Sequence, residues 1–156
     1  MKKITFLIVP DSFKDCLSAK LVGDNIKKGI LKVFNNAVVN IVPMADGGEG
    51  TTESIVNILS GEIINKRVKD PIGRITNGFF GVIDNGKTAI IEMAAASGIE
   101  KLTIEERNPW ITSTYGTGEL IKAALDYGCL KIIIGIGGSA TNDGGVGMAK
   151  ALGIKF

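Results

Sequence analysis

Three times along this 156-residue chain, an apolar run of strand length leads into a polar loop and then into a helical pattern. Ile4 to Val9 precedes PDSFKDCLSA, Ala37 to Met44 precedes ADGGEGT, and Lys131 to Ile136 precedes GIGGSATNDGGVGM. Apolar runs of this kind suit strands buried on both faces, and parallel neighbours need a long crossover, usually a helix, to connect them. The first helix opens at Ser18. Along it Leu21, Ile26, Ile30, Leu31 and Phe34 recur near a 3.6-residue period, with Lys20, Asp24, Lys27 and Lys28 on the other side. A second, short helix is predicted over Thr51 to Leu59.

From Glu62 the rhythm changes. Ile63 to Val68, Gly78 to Ile83 and Thr88 to Met93 read as strands separated by DPIGR and DNGK, and Asp84, Asn85 and Gly86 suit a hairpin turn. A helical segment beginning at AAASG and a loop through Asn108, Pro109 and Trp110 follow. Gly118 to Tyr127 then reads as a helix, Lys131 to Ile136 as a buried strand, and Asp143 to Leu152 as a final helix. The expected fold class is α/β, with a Rossmann-like, mostly parallel sheet, crossover helices and an antiparallel meander. Residues 1–61 and 112–156 form the expected parallel-sheet region, and 62–111 form the meander and connecting segment, the start of a second lobe. Gly153 stands where a helix C-cap glycine belongs, and Ile154, Lys155 and Phe156 read as the first residues of another strand. A core strand that starts there leaves an open sheet edge, so the chain is expected to be the N-terminal part of a longer protein.

Composition narrows the chemistry. The chain has no histidine, which removes Ser-His-Asp and Cys-His triads, imidazole acid/base catalysis and His-ligated zinc from what it can do. Its formal charge of +2 is too small and too evenly spread to argue for nucleic acid or an anionic membrane as partner. Cys16 and Cys129 lack a CxxC spacing and read as reduced thiols of a cytoplasmic protein. The apolar run from Ile132 to Gly138 is about a third of the roughly 20 residues a membrane helix needs. The N-terminus lacks the small-residue cleavage pattern of a signal peptide.

Glycine is abundant, 21 residues against the roughly 7% of an average chain, and eleven of them lie in MADGGEGT, STYGTGEL and the stretch from Gly135 to Gly147. A simple connection needs one glycine. Gly47 and Gly48 beside Asp46, with Glu49 following, let backbone N–H groups approach an anion while a carboxylate faces a metal or a hydroxyl. Gly137, Gly138, Gly144 and Gly145, with the hydroxyls of Ser139 and Thr141, the amide of Asn142 and the carboxylate of Asp143, suit phosphate at a turn before a helix. Asp143 can hold Mg²⁺, act as a base or cap the helix. The first loop offers Asp11, Ser12, Lys14 and Asp15, and STYGTGEL offers Thr117, which also reads as a helix N-cap. Glu92 ends an apolar strand, where a carboxylate is costly unless paired or solvated. Trp110, the two cysteines and the four methionines read as packing residues. There is no GxxxxGK[ST] P-loop and no GxGxxG after a strand, so phosphate binding needs another basis.

PDSFKDCLSA, PMADGGEGT, IEMAAASGI, TSTYGTGELI and IGIGGSATNDGGVGM, in this order, closely resemble the bacterial glycerate kinase type I family. The five motifs run from residue 10 to residue 148 and cover nearly the whole chain. The resemblance implies an ATP-dependent kinase that phosphorylates glycerate, commonly the D enantiomer, to 2-phosphoglycerate with Mg²⁺, in glyoxylate, glycerate or glucarate breakdown. It also implies two α/β lobes, more than twice this length in total, with the active site in the cleft between them. Asp15 and Cys16 stand where the family usually shows Gly and Ser, which bears on the backbone shape of that loop.

Phosphoryl transfer needs an anion cradle, a metal-binding acid, a cation and a group that orients the hydroxyl. In this chain Lys14 is assigned to the substrate carboxylate or the transferring phosphate. Asp46 and Asp143 share the base and Mg²⁺ roles, and the loop from Gly137 to Gly145 is the phosphate cradle. Two other readings compete: a non-catalytic module that binds an anion or a sugar acid, and a fragment inactive on its own because half a cleft cannot close around two substrates.

Overall fold

A computed structural model of the chain describes residues 3–13, 16–44 and 46–156. Contacts group the chain into two compact units, Met1–Ala45 and Asp46–Phe156.

The first unit is one β-α-β turn of the chain. β1 (Thr5–Ile8) and β2 (Val38–Ile41) pair in parallel from Thr5 with Val38 to Ile8 with Ile41, and α1 (Ala19–Val33) is the crossover between them. Ser18 caps α1 as expected, its Oγ accepting from the Leu21 N–H at 3.4 Å. The apolar stripe is not buried as its spacing predicts. Val22 and Gly23 are the buried positions of α1, while Leu21 and Ile26 are exposed. A two-stranded sheet covers only a narrow strip of a helix. Phe34, just past the helix end, packs its ring 5.5 Å from that of Phe6.

The second unit carries α2 (Thr51–Ile58), β3 (Glu62–Lys69), β4 (Ile75–Ile83), β5 (Thr88–Glu92), α3 (Ala94–Ser97), a 3₁₀ turn at Ile99–Lys101, α4 (Tyr115–Tyr127), β6 (Lys131–Gly135) and α5 (Val146–Ala151). Its sheet has the order β3-β4-β5-β6, antiparallel along the meander and parallel between β5 and β6. The sequence expectation grouped Lys131 onward with the first two strands; in the second unit β6 pairs with β5, at the end of the sheet that the meander begins. The α/β class, with parallel pairs, crossover helices and a meander, is as expected.

Turn chemistry accounts for the meander. Asp84, Asn85 and Gly86 all take left-handed φ, at 57°, 53° and 87°, which Asp, Asn and Gly tolerate best. In the DPIGR turn the buried Asp70 accepts from the N–H groups of Ile72 and Arg74 and from Arg74 Nε at 2.6 Å. Burial opposes the charge of Asp70, but these hydrogen bonds win and hold its carboxyl below the usual range. Arg74 also grips Glu106 through two N–H groups at 2.7 and 3.2 Å, tying the loop after the 3₁₀ turn to the sheet.

Strand alternation sorts the side chains onto two faces. Val68, Phe80, Val82, Ala89 and Ile91 join Leu120, Ile121 and Ala124 of α4 in one core. Ile90 turns the other way, and on that face Gly81 lies against Thr52 and Val56 of α2.

Several boundaries move. α4 begins at Tyr115, not Gly118, with Thr114 at the N-cap position, so Thr117 is no cap but a fully buried residue of the first turn. α5 begins at Val146, and Asp143 precedes it. AAASG supplies a single turn of helix before the 3₁₀ turn. Gly153 has φ 96° and ends α5 as predicted, the Ile154 N–H bonding back to the Ala149 carbonyl. Ile154–Phe156 belong to no strand. Trp110, expected to pack, is 93% exposed. Among the described residues no helix is long and apolar enough to cross a membrane.

Candidate functional site

β5 and β6 end side by side, Glu92 paired with Gly135, and two glycine loops meet just beyond them. One is Asp46–Gly50, which leads into α2; the other leaves β6 at Ile136. The Gly47 carbonyl accepts from the Gly137 N–H at 2.9 Å, and the Gly47 N–H donates to Thr51 Oγ1 at 3.0 Å. A Cβ on Gly137 would stand 2.8 Å from both the Cα and the N of Gly48, so backbone packs on backbone where no side chain fits. Asp46, at the exposed start of this junction, accepts from the Gly48 N–H through Oδ1 at 2.8 Å. Its other oxygen has no partner among the described residues. Glu49 is exposed in the same loop.

Glu92 lies beneath. Alternation along β5 puts it on the α2 face with Ile90, and there its Oε2 accepts from the Thr52 N–H at 3.3 Å, with the Thr51 N–H contributing as well. The carboxylate thus meets the unpaired N–H groups at the start of α2. Glu92 is 2% exposed, and burial is the main reason its carboxyl is pushed up to about 7, with the nearby charges of Glu53 and Glu49 acting in the same direction. Beside it, the buried Thr52 Oγ1 has no hydrogen-bond partner among the described residues.

The β6 loop is tethered along its length. Gly138 and Ala140 bond to the Ile99 N–H and the Ser97 carbonyl, and Thr112 Oγ1 donates to the Ala140 carbonyl at 2.9 Å. Ser139 and Thr141 share a hydroxyl–hydroxyl bond of 2.8 Å, and the Thr141 N–H donates to Ser139 Oγ. Asn142 and Gly144 are exposed beside them.

Asp143 is the most heavily bonded carboxylate here. It accepts from the N–H groups of Thr114, Gly145 and Gly147 at 2.9–3.0 Å, from Thr114 Oγ1 at 3.0 Å, and from Ser113 Oγ at 3.4 Å. Thr114 Oγ1 in turn accepts from the Met148 N–H at 2.9 Å. Burial works to raise the Asp143 carboxyl, but the hydrogen bonds from Thr114, Gly147 and Gly145 outweigh it and hold the group below its usual range. One carboxylate therefore locks together the start of α4 and the start of α5.

The structure brings Asp46, Gly47, Gly48 and Gly137 into one junction, and Ser139, Thr141, Asn142, Asp143, Gly144 and Gly145 into the loop continuing from it. Thr117 turns inward, its hydroxyl 2.8 Å from that of Ser97. Asp11 and Ser12 are exposed in the first unit, with the Ser12 N–H donating to Asp11 Oδ1. Lys14 and Asp15 lie outside the described residues. Ser113 and Thr114 were missed as partners of Asp143. The sequence signal available was STYGTGEL itself, read one turn too late. Among the described residues no group of three or more Asp, Glu or Cys side chains converges as a metal site.

In open α/β sheets ligands bind at the carboxyl ends of the strands, and the two interlocked glycine loops, with Asp46 beside them, lie just beyond that end of β5 and β6. The family profile described as the glycerate kinase family matches residues 6–156, and the chain belongs to that family. It is 55% identical over 150 residues to a glycerate kinase of Haemophilus influenzae, covering 96% of this chain and 40% of the relative. It is 51% identical over 150 residues to the glycerate 2-kinase of Escherichia coli, covering 96% of this chain and 39% of the relative. A crystal structure from Salmonella typhimurium LT2, named for glycerate kinase 2, superposes with a TM-score of 0.81 at 47% identity, over 97% of this chain and 41% of that one. The chain thus spans about 40% of the length of the relatives it matches.

Proposed function

We propose that the gene product is an ATP-dependent kinase that transfers the γ-phosphoryl group to a hydroxyl of glycerate, commonly the D enantiomer. The observation that carries this reading is the junction of the Asp46–Gly50 and β6 loops: backbone packed on backbone, hydroxyls alongside, and one carboxylate oxygen without a partner among the described residues. The name of the Escherichia coli relative supports 2-phosphoglycerate as the product. The two free cysteines support a cytoplasmic enzyme and the small charge supports a small molecule as partner, with neither nucleic acid nor membrane, while the family supports a place in organic-acid breakdown.

In this reading Asp46 is the reacting carboxylate. It orients the attacking hydroxyl and takes its proton as the new O–P bond forms and the bond to the bridging oxygen of ADP breaks. Asp143, its lone pairs occupied by Thr114, Gly145 and Gly147, holds the cradle in shape instead of sharing the base and metal roles. Gly137, Gly138, Ser139, Thr141 and Asn142 present N–H and hydroxyl donors to phosphate. Lys14 is assigned to the substrate carboxylate or the transferring phosphate. Mg²⁺ would be held chiefly by substrate phosphates and water, because in this reading the open oxygen of Asp46 is given to the attacking hydroxyl. When bound, Mg²⁺ supplies charge neutralisation on the phosphates.

A coupled ADP-release assay with D-glycerate and MgATP, run on this chain and on the full-length gene product, tests the reading. Asp46→Asn is expected to lower kcat by about 10²-fold or more with the circular dichroism unchanged. Near-normal turnover in that variant, or no glycerate-dependent ADP release by the full-length product, would overturn it.

A further inference from the structure

We infer that Arg107 completes a binding site for the oxyanion group of a substrate, a carboxylate or a phosphate, with Ser139, Thr141 and Asn142. These four residues line a cavity of about 280 Å³, with Ile99 and Pro109 forming its apolar wall. The loops on either side of it are held independently. On one side, Gly138 and Ala140 are tied to Ile99 and Ser97, and Thr112 anchors the Ala140 carbonyl, so Ser139, Thr141 and Asn142 are presented by a fixed backbone. On the other, the two-point pairing of Glu106 with Arg74, and the bond from the Thr103 N–H to Glu106 Oε2, hold the residue next to Arg107.

The charges around the cavity leave Arg107 as its cation. Glu106 is occupied by Arg74, and Asp143 by the five donors described above. Glu105 feels the Arg107 charge, but its carboxyl is held chiefly by its own backbone N–H and by Thr103. Among the described residues Arg107 makes no salt bridge within 4.0 Å; both that occur belong to Arg74. A guanidinium lining the same cavity as two hydroxyls and an amide suits a group with two or three oxygens, which it can bind through two parallel N–H donors. A neutral or cationic ligand would leave that charge unmatched.

The chemistry of the site stands on its own, and only the choice of ligands rests on the kinase reading. The test uses the full-length gene product and its Arg107→Met and Arg107→Lys variants, with circular dichroism confirming that all three fold alike. D-glycerate and ATP are titrated separately by calorimetry, and KM is measured for each. Arg107→Met is expected to weaken one of them at least tenfold, with Arg107→Lys in between. A loss for glycerate alone identifies the carboxylate, and a loss for ATP alone identifies a phosphate. Affinities within twofold of wild type for both ligands, or no binding of either by the wild type, overturn the site. Arg107-dependent binding without ADP release would keep the site and sink the kinase reading.

Discussion

Replacing Glu92 by Gln tests how far the second unit buries a carboxyl under its glycine junction. Burial pushes the native carboxyl up to about 7 from an ordinary 4.5. At about 1.4 kcal/mol per pKa unit that displacement is a ceiling of about 3 kcal/mol, and relaxation of the surroundings around the ionised carboxylate brings the working figure to about 2 kcal/mol. The sign follows from proton binding. The native state holds the proton more tightly than the unfolded chain, so the stability from this group is complete below about pH 4.5 and is lost as pH rises through about 7. Glu92→Gln keeps an acceptor oxygen for the Thr52 N–H but cannot ionise, so it lacks this slope. Urea denaturation from pH 4.5 to 8.5 should therefore show wild type losing about 2 kcal/mol relative to the variant across that range. The ¹³C resonance of the Glu92 carboxyl should titrate with a midpoint near 7. Parallel stability curves for the two proteins, or a Glu92 midpoint near 4.5, would refute the reasoning.

Other consequences can be read from the same geometry. Asp143→Ala strands the N–H groups of Thr114, Gly145 and Gly147 and should cost about 2–3 kcal/mol in urea melts. Because its carboxyl lies below the ordinary range, the stability it contributes is present at neutral pH and lost as pH falls through the folded value, so Asp143→Asn should flatten the acid limb of the curve. Gly137→Ala drives a methyl into the Gly48 backbone and should cost about 1–3 kcal/mol, while Gly144→Ala, with open space around it, should cost little beyond the strain of its φ of 61°. Arg74→Met releases Glu106, so the Thr103 amide should exchange faster and the affinity that depends on Arg107 should fall.

Much of the architecture was legible in local pattern. The DNG turn, the Ser18 cap, the Gly153 helix stop and the apolar strands all stand where neighbouring residues set them, because a turn or a cap is closed by groups a few positions apart. The glycine clusters marked the loops that meet past β5 and β6, and five ordered motifs pointed to the family. The α4 start was misplaced because two hydroxyl residues, Thr114 and Thr117, compete for the cap. What decides between them is Asp143, which reaches back 29 positions to bond Thr114.

The sequence by itself determined which segments are strands, helices and glycine loops, and which residue types stand ready for anion chemistry. Only the tertiary structure decided which of them meet. β6 joins β5, Glu92 comes to rest under α2, Asp143 is taken up as a clamp while Asp46 keeps an oxygen without a partner among the described residues, and Arg107 lines one cavity with Ser139 and Thr141. The physical reason is that periodicity and turn chemistry are local, whereas desolvation, backbone-to-backbone packing and the pairing of charges depend on neighbours that the chain brings together from dozens of residues away.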